Sequence, residues 1–177
     1  MNSSAKIIGI VLRVTITLLI VVGIKTYLVQ AFRMSSDSMA PTLVKGDRLF
    51  VDKRIYRRLQ PQRGDIVVYL PPAKSGRKYL QRIVGLPTET IEIKGGMIFI
   101  NGVSLEGLPY QNIHYQNTGN YAKVGQSVKI PSDSYFILGD NSPSSMDSRY
   151  LGFIPRKNIL GKVTRIYYPF NRFGPVK

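Results

Sequence analysis

The sequence predicts a mostly-β protein, built of antiparallel β-sheets, with one N-terminal transmembrane helix. Two observations lead to this fold class: an apolar run near the N-terminus, and a succession of short β-prone runs separated by glycine and proline. Beyond residue 35, no long stretch has the 3.6-residue period of a substantial helix, and only Lys53–Leu59 predicts a short one. Antiparallel sheets are the architecture that such a pattern favours.

The apolar run Ile7–Ile24 carries one charge, Arg13, and is followed by Lys25. A helix that crosses a bilayer needs about 20 apolar residues, so the run is long enough if both cations extend toward the headgroups. We therefore predict a retained membrane anchor. The alternative is a cleavable signal peptide, because Val29-Gln30-Ala31 has small residues at the spacing for cleavage after Ala31.

The anchor divides the chain into an N-terminal tail at 1–6, a transmembrane segment at 7–29 and a body at 30–177, within which about 87–135 forms a smaller inserted β region. In the body, two-residue turns are predicted at Gly95-Gly96 and Asn101-Gly102, each between apolar runs. The predicted strands are Arg48–Val51, Asp65–Leu70, Tyr79–Gly85, Thr90–Lys94, Met97–Ile100, Ser127–Ile130, Tyr135–Leu138 and Leu160–Tyr168.

Composition and charge exclude several classes of protein. Without cysteine the chain forms neither disulfides nor thiolate metal sites, and its one histidine, His114, excludes a histidine-rich zinc site; we predict no cofactor. The net charge of +15 predicts attraction to anionic lipid or to nucleic acid. Lipid is the simpler partner, because the anchor already places the body at a membrane. A solvated basic surface without a specific partner is the alternative.

Short blocks along the body carry the hydroxyl, amide and charged groups that catalysis would need. In chain order they are Ser36-Asp37-Ser38-Met39-Ala40-Pro41-Thr42-Leu43, Arg63-Gly64-Asp65-Ile66-Val67-Val68-Tyr69, Tyr79-Leu80-Gln81-Arg82-Ile83-Val84-Gly85-Leu86-Pro87 and Gly139-Asp140-Asn141-Ser142-Pro143-Ser144-Ser145-Met146-Asp147-Ser148-Arg149. In this order after an apolar run, the blocks closely resemble those of the type I signal peptidases. These are membrane-anchored serine proteases that use a Ser/Lys pair.

The resemblance implies a role for each hydroxyl and charge of the first and last blocks. Ser38 matches the nucleophile, and the hydroxyl of Ser36 with the N–H of Ser38 matches the oxyanion hole. Ser145 matches the serine that orients the catalytic amine. Asp147 and Arg149 match a supporting ion pair; the alternative for this pair is an exposed contact that contributes little to stability.

The family also implies a substrate and a location. Signal peptidases remove signal peptides from exported preproteins after small residues, commonly Ala-x-Ala, with the substrate bound as an added extended strand and the body on the outer face of the membrane. Signal peptides and anionic lipid are therefore the expected partners. The residues matching the shallow apolar substrate pockets are Met34, Met39, Leu43, Leu49, Val68, Tyr79 and Leu80, for each of which core packing is the alternative.

Gln81 occupies the position where the family carries its general-base lysine. A carboxamide oxygen accepts a hydrogen bond but does not hold a proton near pH 7, so the serine has no base at this position. Loss of general-base catalysis costs typically ~10²–10⁴-fold in rate. Lys78 is not a direct replacement in a regular strand, because residues 78 and 81 point to opposite faces. The alternative is a β-bulge between them, which would change this parity.

Three functions follow, in order of preference. The first is a membrane-anchored serine endopeptidase of the signal peptidase I type, with activity strongly reduced or absent because of Gln81. The second is a catalytically inactive homologue that binds signal peptides or a peptidase partner. The third is a basic nucleic-acid-binding β protein, against which the apolar anchor argues; its candidate contacts are Lys53, Arg54, Arg57, Arg58 and Arg63.

Overall fold

The structure is a computed structural model that describes residues 3–27, 29–72, 76–107, 110, 113–123 and 125–176. Its α-helices are α1 (Ser3–Tyr27), α2 (Ile55–Arg58) and α3 (Ser148–Leu151). Its strands are β1 (Val29–Arg33), β2 (Arg48–Asp52), β3 (Ile66–Tyr69), β4 (Tyr79–Gly85), β5 (Thr90–Lys94), β6 (Met97–Ile100), β7 (Val103–Ser104), β8 (Val128–Lys129), β9 (Ser134–Leu138), β10 (Ile154–Pro155), β11 (Ile159–Tyr168) and β12 (Gly174–Pro175).

The larger sheet has eight strands, in the order β1-β2-β11-β3-β4-β9-β10, with β12 also paired to β11. Its strand pairs are antiparallel, as the sequence predicted. In the centre of this sheet, β3 pairs with β4 so that Val67 lies opposite Gln81 and Tyr69 lies opposite Tyr79. This register places the side chains of Tyr69 and Gln81 diagonally on one face of the sheet.

The smaller sheet has four strands in the order β7-β6-β5-β8 and lies within the region 87–135 predicted as an inserted β element. Gly95 and Gly96 form the two-residue turn between β5 and β6, both with positive φ, so this predicted hairpin is confirmed. Asn101-Gly102 likewise joins β6 to β7 with positive φ at both residues. Backbone of this kind suits glycine and asparagine and matches the twist of the flanking strands.

The core of the larger sheet lies on both of its faces. Apolar side chains at alternate positions of β3 and β4 separate into two buried clusters, one containing Val68 and Leu80 and the other containing Val67 and Ile83. All four residues of β3 are buried, which explains the uninterrupted apolar sequence of this strand. The two clusters hold β3 and β4 rigidly, and these strands carry Tyr69 and Gln81.

All eight predicted strands are confirmed to within one residue of their bounds. The sequence analysis did not find four further strands: β1 and the two-residue strands β7, β10 and β12. A two-residue strand is too short to show an alternation of polar and apolar residues. Val29, assigned from sequence to the end of the anchor, begins β1 because it pairs with Asp52 across the sheet edge.

Helix α1 extends over 25 residues, and the large apolar side chains described on it are exposed, from 48% for Ile16 to 67% for Ile8. Among the described residues, no helix combines the length and the hydropathy that a membrane span requires. Several residues of the predicted segments, namely 1, 2 and 28 of the tail and anchor and 108, 109, 111, 112 and 124 of the inserted region, lie outside the described residues.

Candidate active site

Ser38 lies in a tight turn that follows β1. The N–H of Leu43 donates to the carbonyl of Met39 at 2.9 Å, and both of these apolar side chains are fully buried, so the turn is fastened to the core. Ser38 itself is 8% exposed, and its Oγ lies 3.0 Å from the Oγ of Ser36. The structure therefore brings together the two serines that the sequence singled out.

The loop after β9 packs directly against the backbone of this turn. The N–H of Asn141 donates to the carbonyl of Ser38 at 2.9 Å, and its Nδ2 donates to the carbonyl of Asp37 at 2.9 Å. A Cβ on Gly139 would meet both the carbonyl oxygen of Ser38 and the Oγ of Ser145 at less than 3.0 Å. Glycine at 139 thus permits Ser38 and Ser145 to lie on either side of one backbone segment.

Gln81 extends from β4 into the same region and is 1% exposed. Its Nε2 donates to the Oγ of Ser145 at 2.8 Å and to the carbonyl of Met146 at 3.0 Å, and its Oε1 accepts from the Tyr69 hydroxyl at 2.5 Å. The structure therefore brings Ser145 into contact with Gln81, two residues that the sequence analysis singled out. In the described part of the chain, no hydrogen bond joins Gln81 to Ser38.

Asp147 and Arg149 form an ion pair that is buried, with 0% and 1% of their side chains exposed. Two hydrogen bonds of 2.8 Å join the guanidinium to the carboxylate, and the guanidinium also donates to Ser142 and to the carbonyl of Gln116. Asp147 in turn accepts from the N–H of Gly139 at 3.1 Å. The alternative of an exposed, weak pair is wrong, because this pair braces the loop that carries Ser145.

A second buried ion pair, which the sequence analysis missed, joins Arg82 to Asp140. The carboxylate accepts from the Nε of Arg82 at 2.9 Å, from its Nη2 at 2.7 Å and from the hydroxyl of Thr42 at 2.6 Å. Burial lowers the pKa of Arg82, but the hydrogen bonds and charge of Asp140 raise it, and the pKa lies above its ordinary value. Both residues belong to the blocks noted above, but no local pattern shows that they pair.

A groove of about 230 Å³ opens beside the two serines. Its apolar wall includes Met34, Tyr79 and Leu80, three of the residues predicted to form substrate pockets. Arg77 and Lys78 add cationic side chains to its lining, beside Phe32, Ser35, Ser36 and Ser38. The remaining predicted pocket residues are fully or almost fully buried in the core behind the groove: Met39, Leu43, Leu49 and Val68.

The site thus combines a groove of mixed apolar and cationic lining with serine hydroxyls at its side. Ser38 borders the groove, and its hydroxyl has Ser36 as its hydrogen-bond partner within the described residues. The carboxamide of Gln81 is close by, but it has no lone pair basic enough to remove a proton from a serine. Lys78 lines the groove from an exposed position, whereas Gln81 is buried.

A body of antiparallel sheets with two serines beside a groove is compatible with a serine peptidase, and comparison with known proteins identifies the family. The family model for signal peptidase, peptidase S26, matches residues 7–168. The chain belongs to this family.

Known relatives cover almost the whole chain. Signal peptidase I of Leptolyngbya laminosa is 36% identical over 166 residues, which are 90% of this chain and 78% of the relative. Signal peptidase I P of Bacillus subtilis subsp. natto is 34% identical over 180 residues, which are 99% of this chain and 97% of the relative. A solved signal peptidase I from Enterococcus faecalis V583 is 35% identical with a TM-score of 0.48, covering 60% of this chain and 98% of that one.

Proposed function

We propose that this protein acts on the signal peptides of exported preproteins as a serine endopeptidase of the signal peptidase I type. Ser38 is the proposed nucleophile, and cleavage is proposed to follow small residues in an Ala-x-Ala pattern. The observation that carries the proposal is the position of Ser36 and Ser38 at the side of a groove whose apolar lining includes Met34 and Leu80. The Ala-x-Ala pattern is proposed from membership of the signal peptidase family, and an extended peptide is the form of substrate that a groove beside a sheet can bind.

The same turn supplies groups for the developing negative charge. The N–H of Ser38 has no hydrogen-bond partner among the described residues, and the hydroxyl of Ser36 is 3.0 Å from the nucleophilic oxygen. An unpaired N–H and a nearby hydroxyl are the kind of donors that stabilise an oxyanion. We propose this pair as the oxyanion hole, with Ser145, Asp147 and Arg149 as support for the residue at position 81.

Gln81 limits the activity that we propose. Because its carboxamide is not a base, the proton of Ser38 must leave without general-base assistance, which lowers the rate by ~10²–10⁴-fold or more. This observation favours a second candidate function, binding of the signal peptide without turnover. In that case the groove would still recognise small residues, since Met34, Tyr79 and Leu80 do not depend on position 81 for their place in the lining.

The two functions are separated by measuring binding and cleavage on the same protein. We expect the detergent-solubilised chain to bind an Ala-x-Ala peptide, and to cleave a matching preprotein slowly and only with Ser38 present. Ser38→Ala should retain binding and lose cleavage. Cleavage that survives Ser38→Ala would contradict the proposed nucleophile. Binding with no detectable cleavage, even after long incubation, would select the second function.

We further propose that α1 anchors the protein in a membrane, as a single pass with the body on the outer face. Leu19 and the other large apolar side chains described on α1 are exposed to solvent, and burying them in lipid would remove this apolar surface from water. The basic body, which contributes most of the net charge of +15, favours an anionic lipid surface. Nucleic acid is not proposed as a partner.

Charged residues on α1 should release the protein from membranes. We expect the double variant Ile16→Arg/Leu19→Arg to be extracted by alkaline carbonate, because each arginine costs about 2.5–3.5 kcal/mol at the centre of a bilayer. Val103→Arg is the matched control, since Val103 is 71% exposed on β7 and Leu19 is 66% exposed on α1. Equal extraction of both variants would contradict the anchor. Digestion of the body by protease added outside intact cells would support the orientation.

A further inference from the structure

We propose that Tyr69 is a positioning residue matched to glutamine at position 81: its hydroxyl holds the carboxamide in place, and would compete for the lone pair of a lysine amine introduced there. That Tyr69 holds the Gln81 carboxamide in place follows from the geometry alone. That Tyr69 would compete for the lone pair of a lysine at position 81 matters only if the proposed function holds. Gln81 is then part of a hydrogen-bond network that includes Tyr69, and it is more than a position from which the catalytic amine is missing.

The register of the sheet creates the contact. Val67 of β3 lies opposite Gln81 of β4, so Tyr69, two residues further along β3, shares a face with Gln81 and reaches it diagonally. The Tyr69 side chain is fully buried, and the acceptor for its hydroxyl is the Oε1 of Gln81. Burial raises the pKa of Tyr69 well above its ordinary value, with the charge of Asp147 adding to the effect, so the hydroxyl keeps its proton and acts as a donor.

The carboxamide of Gln81 uses all of its donors at this site. An amide nitrogen has two N–H groups, and here one donates to Ser145 Oγ and the other to the carbonyl of Met146. The remaining polar atom, Oε1, accepts from Tyr69. The orientation of the amide is fixed by the carbonyl of Met146, which can accept from the NH₂ group but cannot bond to the amide oxygen, and this orientation turns Oε1 toward the Tyr69 hydroxyl.

A lysine at position 81 would meet the same three partners with a different set of atoms. A neutral amine can donate to Ser145 and Met146, which leaves a single lone pair. A general base must use that lone pair to accept the proton of Ser38. The Tyr69 hydroxyl, which points at this position with no other acceptor among the described residues, would bind the lone pair instead. Phenylalanine at position 69 would remove this competition.

The test is a double-mutant cycle on the full chain, with Tyr69→Phe, Gln81→Lys and the double variant compared with the unchanged protein. We expect Tyr69→Phe to lower the thermal unfolding midpoint when Gln81 is present, since Oε1 loses its donor, and to lower it less or raise it in the Gln81→Lys background. We also expect Tyr69→Phe to raise kcat of Gln81→Lys about fivefold, the rate equivalent of one ordinary hydrogen bond, without changing KM.

Tyr56→Phe is the matched control. Tyr56 is also buried, and its hydroxyl donates to Asp65 Oδ2 at 2.8 Å, away from position 81. It should lower the midpoint equally in both backgrounds and should not raise kcat. If Tyr69→Phe changes the unfolding midpoint equally with Gln81 and with lysine at position 81, then Tyr69 is not coupled to Gln81. If Tyr69→Phe leaves kcat of the Gln81→Lys variant unchanged or lowers it, then the Tyr69 hydroxyl does not compete for the lysine lone pair. If neither lysine variant cleaves, the proposed function fails, and the unfolding midpoints decide the coupling by themselves.

Discussion

Gln81→Lys is expected to raise the rate of preprotein cleavage by about 10²–10⁴-fold, the range that a positioned general base contributes. The surrounding site is already arranged for an amine, because Ser145 Oγ and the carbonyl of Met146 both accept hydrogen bonds from Gln81 Nε2. Burial disfavours the charged form of lysine and lowers its pKa, so a useful fraction of the amine would be neutral near pH 7. This neutral amine is the group that Gln81 lacks.

The same substitution should reduce stability. Gln81 is 1% exposed, and a charged ammonium in its place would have to be desolvated. We therefore expect a gain in activity together with a lower unfolding midpoint. Such a trade between function and stability is common where a buried ionisable group does the chemistry.

Cleavage should be followed with three matched variants of the detergent-solubilised protein. Gln81→Met keeps a side chain of similar length without a base, and should stay as slow as the unchanged chain. Ser38→Ala in the Gln81→Lys background should abolish the gain. If Gln81→Lys does not cleave faster while it remains folded and binds peptide, then a lysine at position 81 does not act as the general base for Ser38. If the unchanged chain is already fast, another group serves as the base, and Lys78→Ala is the next variant to measure.

Arg149→Ala is expected to lower the free energy of unfolding by about 3–5 kcal/mol, the cost of leaving a buried charge without its partner. Arg149 is 1% exposed and makes paired hydrogen bonds to Asp147, along with bonds to Ser142 and Gln116. Its removal would leave the buried charge of Asp147 with backbone N–H donors but without its cationic partner, and Ser142 and Gln116 would lose the bonds that the guanidinium donates. The loop that carries Ser145 would lose its brace at the same time.

Denaturant unfolding of Arg149→Ala and Arg165→Ala tests this prediction. Arg165 lies exposed on β11, and its side chain makes no hydrogen bond among the described residues, so its removal should change the free energy of unfolding by no more than about 0.5 kcal/mol. Equal losses in the free energy of unfolding for the two variants would show that the buried Asp147–Arg149 pair contributes no more to stability than an exposed arginine does. If Arg149→Ala loses much of the free energy of unfolding but binds peptide normally, then Arg149 stabilises the fold without shaping the groove.

Local patterns in the sequence predicted much of the fold. The β-prone run Tyr79–Gly85 marked β4, and the glycines at 95 and 96 predicted the hairpin that follows β5, because both signals depend only on neighbouring residues. The block Ser36–Leu43 likewise indicated that Ser36 and Ser38 belong to one site, and their hydroxyls lie 3.0 Å apart. Strand β1 was not predicted, because its pairing with β2 is set by a distant part of the chain.

By itself, then, the sequence determined the family and the mostly-β fold, and it predicted that Gln81 stands at the position of the family's lysine base. The tertiary structure alone decided which groups surround that glutamine. The contact of Tyr69 with Gln81 depends on the register of β3 and β4, and the buried pairs Arg82–Asp140 and Asp147–Arg149 depend on how the loop after β9 folds over the sheet. Burial and strand register are properties of residues brought together from far apart in the chain, so no local pattern of residues can display them.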